Sequence, residues 1–214
     1  MKKIFFATLA LVLFISACTP REIKSSEESN ILFADDFTDP LSGWDRFQND
    51  TGVTDYSNVG YLIYIRKENI IKWANPSDTF PNNVRIEVDA SMAAGPEDNA
   101  FGLICRYQDP DNFYYFYISS DGFGGIGRKE AGQYKIISSS TGILQKMDGV
   151  NPGVATNHLR ADCIDSTLTL YVNETQVAEA TDGSFPTGNV GVIARSYDEG
   201  GTDIRFNNFN VYRP

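Results

Sequence analysis

From Ile31 to the C-terminus, apolar residues recur at every second position in short runs, and Gly, Asn, Asp or Pro punctuates the runs. Side chains of an extended chain alternate between two faces, so a period of two marks strands with one buried face; a helix needs a period near 3.6. No long segment keeps the helical period, and the chain therefore reads as all-β. In Tyr61–Arg66, Tyr61, Ile63 and Ile65 alternate with Leu62, Tyr64 and Arg66. In Val84–Ser91, Val84, Ile86, Val88 and Ala90 alternate with Arg85, Glu87, Asp89 and Ser91, a half-buried strand with one charged face. Between His158 and Ala180, "HLRADCI", "TLTLYVN" and "TQVAEA" are joined by Asp165-Ser166 and Asn173-Glu174. Two-residue polar links between alternating strands predict hairpins, here an antiparallel meander. The last strand alternates Ile204 and Phe206 and, after an adjustment at Asn207-Asn208, Phe209 and Val211. About a dozen short strands of this kind predict two packed antiparallel sheets, a β-sandwich or jelly roll.

The chain has 214 residues, enough for one sizeable core and short for two full domains. Its N-terminus carries Lys2 and Lys3, an apolar stretch from Ile4 to Ile15, and small residues before Cys18, the pattern of an export signal too short to span a membrane comfortably. Ile15-Ser16-Ala17-Cys18 closely resembles the lipobox of bacterial lipoproteins, which implies cleavage after residue 17 and lipidation of Cys18. Acyl chains contribute about 0.8 kcal/mol per buried methylene, so two or three of them anchor a protein without a spanning helix. The expected organisation is a signal peptide over 1–17, a lipidated cysteine with a polar Ser/Glu-rich tether over 18–30, and one sandwich domain over 31–214. The expected location is the outer side of the cytoplasmic membrane or the outer membrane, with the membrane as a partner through Cys18. The formal charge is −10, and −12 once Lys2 and Lys3 leave with the signal. No Lys/Arg cluster follows, which argues against a nucleic-acid partner and leaves neutral, cationic or metal-bridged ligands.

Cys105 and Cys163 remain, and an exported chain with two cysteines left over most simply pairs them. Each lies in a strand-like stretch, so the bridge is expected to tie neighbouring strands. The alternative is two buried thiols acting as small hydrophobes.

The stretch "NHLRADCIDSTLTLYVNETQVAEATDGSFPTGNVGVIA" resembles the second half of laminin-G-like and concanavalin A-like lectin/glucanase domains. "DDFTDPLSGW", "FGLICRYQDPDNFYYFYISSDG" and "RFNNFNVYRP" are similar to segments of bacterial lipoproteins and extracellular modules of the same superfamily. The resemblance implies a jelly roll with one flat and one curved sheet. Thr156-Asn157 replaces the usual tryptophan before His158, and Glu174 replaces a glycine where a type I′ turn wants positive φ.

The run "NFYYFYI" places Tyr114, Phe116 and Ile118 on one face and Phe113, Tyr115 and Tyr117 on the other. The resemblance assigns Phe116 and Ile118 to the core. Tyr115 and Tyr117 are then expected on the outside, with Arg106 on the same face by the alternation of "GLICRY". Aromatic platforms beside a bidentate donor suit a sugar ring and its hydroxyls or carboxylate, with Trp73, Arg195 and Tyr197 at the rim. The competing reading is a row of tyrosines that serves strand propensity and cross-strand packing.

Catalytic motifs are absent. The resembling β-glucanases carry Glu-x-Asp followed by a further Glu; here Glu87 and Asp89 are followed by Ser91 and Met92, so the dyad is incomplete and a solvated strand face is expected. There is no Gly-x-Ser-x-Gly elbow, and "DGFGGIG" introduces no helix. The single histidine, His158, excludes histidine-rich metal chemistry. No cofactor is expected apart from a structural calcium that Asp35, Asp36, Asn207 and Asn208 could hold between the first and last strands; the alternative there is Asx-type turn bonding. Three functions follow: a non-catalytic module for carbohydrate or another envelope component, a glycan-active hydrolase with dispersed carboxylates, and a structural or protein-interaction lipoprotein.

Overall fold

A computed structural model describes residues 30–214; the expected signal peptide, Cys18 and the tether up to residue 29 lie outside the described residues. Among the described residues the chain forms strands and no helix. In chain order these are β1 (Ile31–Asp35), β2 (Phe47–Asn49), β3 (Gly52–Ser57), β4 (Gly60–Ile65), β5 (Ile71–Ala74), β6 (Val84–Ala94), β7 (Asn99–Asp109) and β8 (Asn112–Ile118), followed by β9 (Phe123–Glu130), β10 (Gln133–Ile136), β11 (Gln145–Lys146), β12 (Asn157–Ile164), β13 (Thr167–Val172), β14 (Thr175–Thr181), β15 (Asn189–Ser196) and β16 (Thr202–Tyr212).

They make two antiparallel sheets packed face to face, the expected sandwich. The larger runs β14-β13-β12-β6-β16-β4-β3-β2, and the smaller β10-β9-β8-β7-β15-β5. Two strands extend an edge already in use. β4 pairs the first half of β16 and β1 the second, and β11 and β10 likewise share β9.

Alternation produces the core as expected. Val84, Ile86, Val88 and Ala90 are buried while the residues between them are half-buried. Each large aliphatic side chain removed from water in this way contributes about 1.5–3 kcal/mol. On β16, Asn208 at φ +53° marks a bulge that keeps Phe209 and Val211 inside after Ile204 and Phe206. The β12–β13–β14 meander turns at Asp165-Ser166 and Asn173-Glu174. Asn173 and Glu174 both take positive φ (48° and 68°), so a type I′ geometry forms without glycine. The Asn173 side chain holds that turn down: it accepts from the His158 N–H (2.9 Å) and donates to Gly149 C=O and Asn157 Oδ1, each at 2.9 Å.

Cys105 and Cys163 are disulfide-bonded, but not between neighbouring strands as expected. β7 belongs to the smaller sheet and β12 to the larger, so the bridge crosses the core and staples the two layers. Strand periodicity gives a residue's face and is silent on which sheet the strand joins.

Candidate functional site

The outer face of the smaller sheet holds a second hydrophobic cluster, separate from the inter-sheet core: Ala100, Ile104, Phe113, Tyr115, Tyr117 and Ile193, with Trp73, Tyr107, Tyr134, Leu144 and Tyr197 packed on it. Phe113, Tyr115 and Tyr117 face away from the core, and Tyr114, Phe116 and Ile118 face into it. The two tyrosines are nevertheless not the exposed platforms expected: Tyr115 is 2% exposed and Tyr117 1%.

The cover comes from their neighbours across the sheet. Tyr115 pairs Gly127 and Tyr117 pairs Gly125, so β9 offers no side chain to stand beside either ring. Tyr115 lies over Gly127, so closely that a Cβ there would come within 2.1 Å of its Cζ. Beyond β9, Tyr134 of β10 approaches Tyr115 to 5.7 Å between ring centroids, and Tyr115 and Tyr117 stand 4.7 Å apart. The segment from 137 to 144 then arches back so that Ser138 and Leu144 sit above Gly125. The glycines of "DGFGGIG" thus serve close approach of rings and loop.

What remains open is a cleft of about 430 Å³ floored by Tyr115 and Tyr117. On one side stand Tyr134, Ile136, Ile143 and Leu144, on the other Arg195 and Tyr197, and Asp98, Asp121 and Phe123 close the end. Ile143 is 63% exposed and Phe123 37%, which makes the rim partly apolar. The Arg195 guanidinium lies over the Tyr197 ring, 4.4 Å from its centroid, and makes no hydrogen bond or ion pair with another described residue. Arg195 Nε and the Tyr117 hydroxyl are both buried without a partner. An unmade hydrogen bond at a buried polar group costs about 1–3 kcal/mol, so the floor of the cleft carries two polar atoms that the described residues leave unsatisfied.

Burial raises the pKa of Tyr117 far above the phenolic range, and that of Tyr134 to about 12; both therefore stay neutral hydroxyls. Asp98 is also raised, by partial desolvation and then by the Asp121 and Asp198 carboxylates, against the opposing pull of Arg195. The cleft therefore mixes one guanidinium, neutral hydroxyls and crowded carboxylates.

Of the six expected ligand residues, the structure brings Tyr115, Tyr117, Arg195 and Tyr197 to this cleft. Arg106 does not join them. At φ +52°, next to a register shift between Cys105 and Asp109, it leaves the strand's alternation, and Tyr107 takes its place on the outer face. Its guanidinium is buried and donates to Phe185 C=O (3.1 Å) and Asn82 C=O (3.4 Å). Trp73 lies on the same face but away from the cleft, beside Tyr107 and Phe113 (6.5 and 5.6 Å). Asp98, Asp121 and Tyr134, which do line it, carry no sequence signal beyond ordinary turn and strand chemistry.

Of the four residues considered for calcium, Asp35, Asp36 and Asn208 line one surface depression and Asn207 an adjoining one, and their side chains are engaged within the chain. Asp35 accepts from Phe37 N–H (2.7 Å), Trp44 Nε1–H (2.9 Å) and the Ser42 hydroxyl, so both its oxygens are engaged. Asp36 binds Thr38, Asn208 donates to Asp89 (2.8 Å), and Asn207 points at Val59 C=O. Among the described residues no three carboxylate, His or Cys side chains gather to hold a metal ion. "DDFTDPLSGW" is a corner tied by Asp35. Glu87 and Asp89 lie on the outer face of the larger sheet, where the His158 Nδ1 sits 2.8 Å from Asp89.

No family model matches the chain, and no curated protein sequence does. Solved structures do. The carbohydrate-binding module CBM66 from Bacillus subtilis superposes with a TM-score of 0.63 at 17% identity, over 80% of this chain and 96% of that one. A Bacillus subtilis protein of unknown function with a galectin-like fold gives 0.60 at 11%, over 86% and 96%. The xylan β-1,4-xylosidase from Bacillus halodurans C-125 gives 0.62 at 13%, over 84% of this chain and 38% of its own. What these share with the chain is the sandwich. At such identities the likeness establishes the jelly-roll fold and leaves function to the site.

Proposed function

We propose that this domain is a non-catalytic module that binds an uncharged glycan in the aromatic cleft, carried outside the cytoplasmic membrane on a lipid attached to Cys18. The observation that carries the reading is the Arg195 guanidinium, laid over the Tyr197 ring without a hydrogen-bond partner among the described residues, in a cleft walled by Tyr134, Tyr197 and Ile143. A sugar ring presents an apolar C–H face and an edge of hydroxyls that both donate and accept. Aromatic walls take the face, while the Arg195 guanidinium and the carboxylates of Asp98 and Asp121 take the edge. Asp98 already feels the Asp121 and Asp198 carboxylates more than the opposing Arg195, which disfavours an acidic sugar beside it. The carbohydrate-binding and glycosidase chains that share the fold support the same direction.

Screening the mature chain on a glycan array tests this. Neutral glycans are expected to bind, and Arg195→Ala and Tyr134→Ala are each expected to weaken binding by about tenfold or more. Binding that survives both substitutions, or a preference for uronates, counts against the reading. The anchor is tested by Cys18→Ala, which should release the protein from membranes.

The raised pKa of Asp98 beside Asp121 favours a second reading, a hydrolase with Asp98 as proton donor and Asp121 as the partner carboxylate. Release of reducing ends that is lost in both Asp98→Asn and Asp121→Asn would establish it.

A further inference from the structure

We infer that the glycan-binding surface continues from the cleft to a second subsite over Trp73 at the edge of the smaller sheet, so that the ligand is a chain of several sugar units and not a single ring. This rests on the reading that the cleft holds a sugar.

The two places lie on one row across the sheet. Trp73 pairs Ile193, Ile193 pairs Gly102, and Gly102 pairs Tyr117. Trp73, Ile193 and Tyr117 all belong to the outer-face cluster, and Gly102 puts no side chain between them. Three inter-strand steps of about 4.8 Å set the ends of the row about 14 Å apart, the reach of a short oligosaccharide. A buried aromatic layer underlies the interval, with Phe113 0% and Tyr115 2% exposed. Tyr107 stacks on Phe113 at 5.6 Å, Phe113 lies 5.6 Å from Trp73, and Phe113 meets Tyr115 and Tyr134 at 6.5 and 6.4 Å. The Lys129 ammonium crosses this belt, 5.3 Å from the Trp73 centroid, 5.8 Å from Phe113 and 5.0 Å from Tyr134, and is held there by Pro110 C=O at 2.6 Å.

At the far end is a separate depression of about 420 Å³, lined by Trp73, Tyr107, Ile71 and Phe47 with Asp45 and Arg46 beside them. Like the first cleft it sets aromatic surface next to a guanidinium and a carboxylate, with the Lys72 side chain in addition. Phe47 is 54% exposed, and Arg46, which lies over the Tyr56 ring and holds Asp55 through Nε and Nη2, keeps Nη1 without a partner among the described residues for a ligand hydroxyl. β5 is the edge strand of its sheet among the described residues, and Trp73 stays half-buried against Tyr107 and Phe113 with the rest of its ring open.

The test is calorimetric titration of the mature chain with β-1,4-linked xylose and glucose oligomers of two to six units. Affinity is expected to rise roughly tenfold between the two-unit and five-unit oligomers, the scale of one added aromatic platform. Trp73→Ala should bring the five-unit oligomer down to the two-unit level, Trp73→Phe should keep most of the gain, and Tyr134→Ala should weaken every length. An unchanged urea midpoint separates loss of the subsite from loss of the fold. Equal affinity for all lengths, or a length dependence that persists in Trp73→Ala, overturns the second subsite and leaves the cleft reading standing. Failure of every oligomer to bind overturns both.

Discussion

Gly127 gives the sharpest test of how the cleft is built. Its backbone does not take positive φ, so nothing local demands glycine. Alanine there would ordinarily gain about 0.5–1 kcal/mol, because glycine loses more chain entropy on folding. Here an added Cβ would stand 2.1 Å from Tyr115 Cζ and 2.3 Å from Cε2 and Oη. The ring has nowhere to go, with Tyr117 at 4.7 Å, Tyr134 at 5.7 Å and Phe113 at 6.5 Å. Overpacking of this kind costs about 1–3 kcal/mol, so Gly127→Ala should destabilise by about 1–2 kcal/mol net. In a Tyr115→Ala background the clash is gone, and the same substitution should be neutral or stabilise by about 0.5 kcal/mol. The coupling between the two sites is then about 2 kcal/mol. Urea unfolding of the four proteins of this cycle, followed by circular dichroism with the disulfide intact, measures it. Equal destabilisation by Gly127→Ala in both backgrounds would refute the packing of Tyr115 on Gly127 and with it the covered floor of the cleft.

Replacing both cysteines by alanine should cost about 4 kcal/mol by the loop-closure estimate for a separation of 58 residues, read from the same urea titration. Asp35→Ala strands three donors at a buried corner and should cost about 3 kcal/mol; stabilisation of the wild type by calcium and not of the variant would establish an ion site there, and no effect of calcium on either would count against it. Asp98, facing Asp121, Asp198 and Arg195, has a folded pKa above its unfolded one, so its ionisation opposes folding as pH rises through the folded value. Asp98→Asn should therefore raise the melting temperature at pH 7, and the difference should vanish at a pH below the unfolded pKa, where both forms are neutral. A lowered melting temperature at pH 7 would contradict the charge crowding.

The fold was legible because alternation is a local property: the faces of β4, β6 and β16 follow from spacing alone, and even the adjustment at Asn207-Asn208 leaves a trace. The two faces of "NFYYFYI" were legible for the same reason. That the outer tyrosines are covered was not, because the cover is supplied by Tyr134 and the 137–144 segment, which reach them only through the pairing of β10 and β11 with one edge of β9. Arg106 was misplaced because one positive-φ residue at a bulge reverses the parity of all that follow, and arginine gives no warning of it. Asp98 and Asp121 look like turn residues in "PEDN" and "SSDG", and only the packed loops bring them to the same end of the cleft.

On the proposed reading a glycan lies on the outer face of the smaller sheet and not on the larger one. Nitrogen-15 NMR of the mature chain, titrated with a neutral oligosaccharide selected on the array, tests it directly. The Arg195 Nε–H resonance and the amides around Tyr117, Asp121 and Tyr134 should shift together and saturate with one affinity. Shifts gathered instead around Glu87, Asp89 and His158, with Arg195 unmoved, would contradict it.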